Sequence, residues 1–197
     1  MTLTYLFAIK KRVLGSLFTL FRGFVMQDNE ELLKLLEQVD PTKPYGTKLF
    51  NALCRLTVNV AIEAVCIRET FDTLRAKTWT EVYLVQRSLD DTAYRGQWHC
   101  PGSVMRPGES VEDIMNRLSQ KEFGTKLTSC KFVANFNYPQ EERGHSFSLI
   151  YLCQLEVREK MQGKWFSLPW DIHSPTVVQH HRQHIIPIAV QEFFKKS

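Results

Sequence analysis

The sequence predicts an α+β chain built as an α/β/α sandwich, with a mixed sheet, a central helix and a C-terminal helix. Three observations carry this. Strand-like segments lie on both sides of one amphipathic helical pattern near the middle of the chain. A second helical pattern closes the chain. Strands and helices do not alternate one for one, as a series of βαβ units would require.

Taken in order, the first 25 residues, "MTLTYLFAIKKRVLGSLFTLFRGFV", are rich in Leu and Phe, and Lys10, Lys11 and Arg12 split them into two apolar pieces too short to span a bilayer. The charges follow an apolar piece instead of leading it, which is not the layout of a signal peptide. Helical spacing would gather Val13, Leu14, Leu17, Phe18, Phe21 and Phe24 on one side. That leaves a surface-seeking helix touching a membrane, an accessory helix packed on the domain, or a chain that begins at Met26 as readings.

From Asp28, "DNEELLKLLEQV" places Leu32, Leu33, Leu35 and Leu36 at helical spacing behind acidic first-turn residues, and "DPTKPYG" ends that helix. "LTVNVAIEAVCIRE" reads as a strand with a break in register, and "WTEVYLVQRS" as a second strand able to pair with it. "KLTSCKFVANFNYP", "HSFSLIYLCQLEV" and "GKWFSLPWDI" read as three more strands. In the tail "VVQHHRQHIIPIAVQEFFKK", Pro187 is expected to start or kink the last helix. The expected organisation is an apolar extension over residues 1–26, a helix and linker over 27–55, and the main domain over 56–197.

A chain of 197 residues with 44% hydrophobic content can build one sizeable core. The net charge of +4 is modest and acids interleave with bases, so nucleic acid is not expected as a partner. Five cysteines, odd in number and never spaced CxxC, fit reduced, mostly buried thiols in a cytoplasmic protein better than a disulfide framework or a zinc cage.

The chemistry concentrates in "PGSVMRPGESVEDIMNRLSQKEFG", residues 101–124. Pro101-Gly102 and Pro107-Gly108 mark a bent loop able to approach a ligand closely. Ser110 with Asp113 forms an N-cap signal, so a helix should run to Glu122 and stop at Gly124. Val111, Ile114, Met115 and Leu118 form its inward stripe, and the next position on that stripe is Glu122. A carboxylate there calls for a cation, either Arg117 or Lys121 in a salt bridge or a bound metal ion.

This stretch resembles the Nudix box, G-x(5)-E-x(7)-R-E-U-x-E-E-x-G-U, with Glu109, Arg117, Glu122 and Gly124 in register. Ser103 stands at the first glycine, Leu118 and Lys121 replace two glutamates, and Thr125 the closing aliphatic. "GQWHCPG" is similar to the usual lead into the box. The resemblance spans roughly residues 56–172 and implies a Nudix hydrolase in which Mg2+ neutralises a diphosphate. "RLSQKEFG" is similar to the "R-L-T-x-x-E-L-G" helix of GDP-mannose mannosyl hydrolases, which implies one magnesium and water attack at a sugar carbon of a nucleoside-diphosphate-linked substrate, a nucleotide sugar.

By that resemblance Glu122 is the metal ligand, with the backbone at Gly102 and Ser103 and the side chain of Gln162 beside it. Arg117 is an orienting or a diphosphate-facing cation with Glu109 as its partner, and Arg106, Lys121 and Trp98 are candidates for substrate contact. Gly163 stands where the branch has its histidine base, which leaves His145, Glu141 and Glu142 as candidates for that role. Each has a plainer reading: "EER" as a solvated turn, Trp98 as core, and His180, His181 and His184 as surface residues instead of metal ligands. Replacement of two box glutamates also supports a second function, a Nudix-like module that binds a nucleotide or a partner without turnover.

Overall fold

The computed structural model describes residues 29–74 and 76–195. The expected apolar extension over residues 1–26 lies outside the described residues. Two compact units divide the chain, Met1–Tyr45 and Gly46–Ser197. In the first, helix α1 covers 29–37 as its leucine spacing predicts, and the chain then turns at Asp40, whose Oδ1 accepts from the Thr42 N–H at 3.0 Å.

The second unit begins with a helix that the sequence reading treated as linker, α2 (Thr47–Leu56), which buries Cys54. Seven strands follow in one sheet: β1 (Asn59–Asp72), β2 (Lys77–Gln86), β3 (Trp98–His99), β4 (Gly102–Val104), β5 (Leu127–Tyr138), β6 (Ser146–Leu155) and β7 (Lys164–Ser167). Their order is β3-β2-β1-β6-β5, with β4 added to β1 and β7 to β2. β1 and β6 run parallel while the other pairs are antiparallel, so the sheet is mixed.

β1 is one continuous strand, buried from Ala61 to Ile67. What looks in sequence like a break in register is a change of neighbour: Ala61–Glu63 pair with β4, and Ile67–Asp72 with β2. Because successive side chains alternate faces, Ile62, Ala64 and Cys66 join the cluster beneath helix α3 (Val111–Leu118), whereas Val65 and Ile67 join the one beneath helix α4 (Ile186–Phe194). The predicted sandwich is therefore present. Pro187 sits in the first turn of α4, directly after a π-helical turn, His181–Ile185, that runs into it, so the proline marks an irregularity in one helical run and not a free start.

Helix α3 opens as predicted. Ser110 Oγ accepts from the Asp113 N–H at 3.1 Å, and Asp113 Oδ2 accepts from the Ser110 N–H at 2.8 Å. Its far end departs from the expectation. After Leu118 the chain widens into a π-helical turn, Ser119–Phe123, closed by Gly124 at φ 66. In such a turn the residue five positions on lies one turn below. Phe123, 0% exposed, therefore continues the apolar stripe below Leu118, and Glu122 is rotated off it.

Candidate functional site

The polar centre lies where the box loop crosses β1. Glu63, flanked in sequence by core residues, is opposite Gly102 in the β1–β4 register. A Cβ on Gly102 would lie 2.3 Å from Glu63 Oε2, so this close approach requires glycine. Burial pushes the Glu63 carboxyl up to about 8, Arg87 and a Ser148 hydrogen bond counteracting only in part, and its Oε2 has no hydrogen-bond partner. Glu63 lines a cavity of about 90 Å³ together with Arg87, His99, Gly102, Arg143 and His181.

Glu122 stands close by, its carboxylate 3.9 Å from His99 Nε2 and its side chain 34% exposed. Burial raises its carboxyl above the ordinary value against the pull of Arg87. His99 is itself held neutral, lowered to about 3 by burial and by Arg87, so its contact with Glu122 is not an ion pair. His181 is likewise neutral and buried, and its Nδ1 accepts from the Cys100 N–H at 3.2 Å, which places the ring proton on Nε2.

The cavity's cations are also held. Asp91 takes Arg87 on one oxygen at 2.7 Å and Arg143 on the other. Although burial opposes it, these two guanidinium groups keep Asp91 below the ordinary carboxylate range. The Nε atoms of both arginines are buried without a partner. Two guanidinium groups share one carboxylate, so they keep donors that a ligand anion in the cavity could engage.

The structure groups some of the predicted residues and separates others. Glu109 and Arg117 pair through two hydrogen bonds, at 3.0 and 2.8 Å, and Glu109 also accepts from the Arg106 N–H at 2.9 Å. Arg117 Nη1 donates to Ser103 Oγ. With its donors so engaged, Arg117 braces the box loop against α3 instead of facing a ligand. Leu118 is 1% exposed inside the core, and Lys121 is exposed. Gln162 packs against Gly124, with its N–H donating to the Phe123 carbonyl at 3.4 Å. Trp98 packs against Phe166 with ring centroids 5.0 Å apart and the planes tilted by 58°, at the margin of the core under α4. His145 Nε2 lies 2.6 Å from Asn137 Oδ1 and does not line the cavity.

Other residues were missed or misread. Glu141 and Arg143, read as a solvated turn, line the cavity, and His180 and His181, read as surface residues, are 9% and 4% exposed. Glu63, Arg87, Asp91 and His99 did not enter the reading. Only Glu63 gave a sequence signal, a lone acid inside the apolar run "VAIEAVCI".

The chain matches the NUDIX domain over residues 65–184 and belongs to the Nudix family. The expected Nudix hydrolase agrees with that membership. Among solved structures it is similar to the NUDIX domain of Shewanella oneidensis NrtR complexed with ADP ribose, at 18% identity and a TM-score of 0.51 over 84% of this chain and 98% of that one. It is similar to NrtR complexed with a 27mer DNA, at 21% identity and a TM-score of 0.54. There 70% of this chain is covered, and it spans 63% of the NrtR chain. A mutT/nudix protein from Listeria innocua matches at 17% identity and a TM-score of 0.54, over 72% of this chain and 99% of that one. Comparison with curated proteins gives no match.

These findings correct two expectations. NrtR, a Nudix protein of this fold, is seen with DNA, so a modest net charge does not exclude nucleic acid as a partner. The GDP-mannose mannosyl hydrolase branch finds no support, and the histidine it would need is sterically barred here. A Cβ at Gly163 would lie 2.1 Å from the Leu84 carbonyl oxygen, where β7 begins to pair with β2. Among the described residues no helix is long and apolar enough to cross a membrane.

Proposed function

We propose that this chain hydrolyses the diphosphate linkage of a nucleoside-diphosphate-linked compound of the ADP-ribose kind. The observation that carries the reading is the pair of carboxylates, Glu63 and Glu122, both disfavoured as anions and one with an unpartnered buried oxygen, beside the arginines of the cavity. A divalent cation relieves that arrangement. Among the described residues no three or more His, Cys, Asp or Glu form a metal cage. Two carboxylates do suit a magnesium ion that takes its other ligands from water and substrate phosphates.

Glu122 and Glu63 would hold the cation, and when bound it would supply charge neutralisation of the diphosphate and acidify a water. Arg87 and Arg143 would draw the anionic ligand into the cavity, and Arg117 with Glu109 would keep the box loop in place. Attack at phosphorus is preferred to attack at a sugar carbon because the histidine base of the sugar-carbon branch has no room at Gly163. Co-crystallisation of the NrtR NUDIX domain with ADP ribose supports the substrate class.

Location of Leu118 in the core, with Lys121 exposed, favours a second reading, a module that binds the same ligands without turnover. A panel of nucleoside-diphosphate compounds incubated with Mg2+ or Mn2+ separates the two. The first reading expects nucleoside monophosphate and a phosphorylated remainder, with activity lost in Glu122→Gln. Saturable binding with no product after prolonged incubation leaves the binding module. Calorimetry of Mg2+ binding in buffers of different ionisation enthalpy adds a readout independent of turnover. Cation binding should release a proton near neutral pH, and Glu63→Gln should abolish the release.

A further inference from the structure

The sheet carries a row of sulfur atoms away from the cavity. Cys130 on β5 is directly opposite Cys153 on β6, and Cys153 is directly opposite Cys66 on β1. Directly opposed residues present their side chains on the same face of a sheet. In an antiparallel pair their Cα atoms stand about 4.5–5.5 Å apart, inside the roughly 4.4–6.8 Å that a disulfide needs. Exposure is asymmetric. Cys153 and Cys66 are each 1% exposed, whereas Cys130, on the edge strand, is exposed.

From this juxtaposition we propose that Cys130 and Cys153 are a thiol pair that a hydroperoxide converts to an intramolecular disulfide, with Cys130 as the thiol attacked first. The Cys130 thiolate attacks the peroxide O–O bond, forming a sulfenic acid and releasing an alkoxide or hydroxide that takes up a proton. Cys153 sulfur then attacks the Cys130 sulfur. The S–S bond forms as the S–O bond breaks, and the departing hydroxide leaves as water with the Cys153 proton. Two thiols lose two electrons and the peroxide gains them.

Two features set this order. A hydrogen bond from Cys153 lowers the Cys130 thiol below its ordinary value despite partial burial, so its thiolate fraction is the larger. The Cys153 thiol is pushed up, first by that same hydrogen bond and then by burial, so it serves as the resolving thiol. Cys66 is raised well above its ordinary value by burial and has no exposed edge from which to react first.

The test uses the full chain. It is treated with hydrogen peroxide, quenched, denatured and titrated for free thiols, with peptide mapping under non-reducing conditions. Of the five thiols, two should disappear, a Cys130–Cys153 peptide should appear, and dithiothreitol should restore all five. Cys130→Ser, an exposed change that spares the core, should keep its four remaining thiols. Cys153→Ala should instead trap Cys130 as a sulfenic acid that dimedone labels. A Cys66–Cys153 link, a disulfide-linked dimer, oxidation of Cys130 to sulfinic acid with Cys153 still free, or five surviving thiols would each overturn the proposal.

Discussion

Glu63→Gln keeps the side chain's shape and removes its proton equilibrium. The folded protein holds the Glu63 proton up to about pH 8, whereas the unfolded chain releases it near 4.5. Below pH 4.5 both states are protonated and the carboxyl costs nothing. Between 4.5 and about 8 only the unfolded chain ionises, so stability is lost progressively as pH rises and levels off above the folded value. At about 1.4 kcal/mol per pH unit the gap amounts to about 5 kcal/mol, a ceiling because side chains and water rearrange when a buried group ionises.

His99 and His180, lowered to about 3 and about 4, act in the opposite sense, since their protonation in the unfolded chain removes stability as pH falls below 6.5. The difference between variant and wild type cancels their contribution. Urea unfolding at pH 5, 6, 7 and 8.5, with the slope held common, should show Glu63→Gln gaining on wild type steadily with pH, by about 2 kcal/mol or more across the range. A difference constant with pH would refute the assignment of a neutral buried carboxyl.

Leu118→Glu, which restores a box acid, should lower stability by about 3 kcal/mol or more, because it removes core packing and buries a carboxyl among Ile114, Phe123 and Tyr83; thermal unfolding reads it directly. Arg117→Ala should cost about 1.5–3 kcal/mol, and a double-mutant cycle with Glu109→Gln should show strong non-additivity, whereas purely additive losses would disprove the brace. Lys121→Ala should change stability by less than about 0.5 kcal/mol. If Lys121 attracts a diphosphate, the variant should also bind ADP several-fold more weakly at low salt, with the deficit shrinking as salt rises, by calorimetry.

The fold was legible because its signals are local. The leucine spacing of α1, the Ser110–Asp113 cap and the irregularity at Pro187 each depend on residues within a few positions of one another. The strand pattern also survived, even where β1 changes partners from β4 to β2, since burial on both faces leaves an apolar run whichever strand lies alongside. Helix α2 was missed although Leu49, Phe50, Leu53 and Cys54 recur at helical spacing, because no capping side chain marks its start and it follows directly on the turn residues of "DPTKPYG".

The site was legible only along the box. Glu109 with Arg117 was predicted as a pair and found as one, but its hydrogen bonds turn inward to Arg106 and Ser103, and so it organises the loop instead of the ligand. Residues that meet the cavity come from separate places: Glu63 from β1, Arg87 after β2, His99 from β3, Arg143 from the β5–β6 loop and His181 before α4. No spacing rule links them, since they converge only through sheet order. Glu122 shows the remaining difficulty. Counting by four from Leu118 puts it in the core, whereas one extra residue in a π turn gives that place to Phe123 and sets Glu122 beside His99. A single inserted position in the helical count thus separates an acid that must be neutralised in the core from one free to meet a cation.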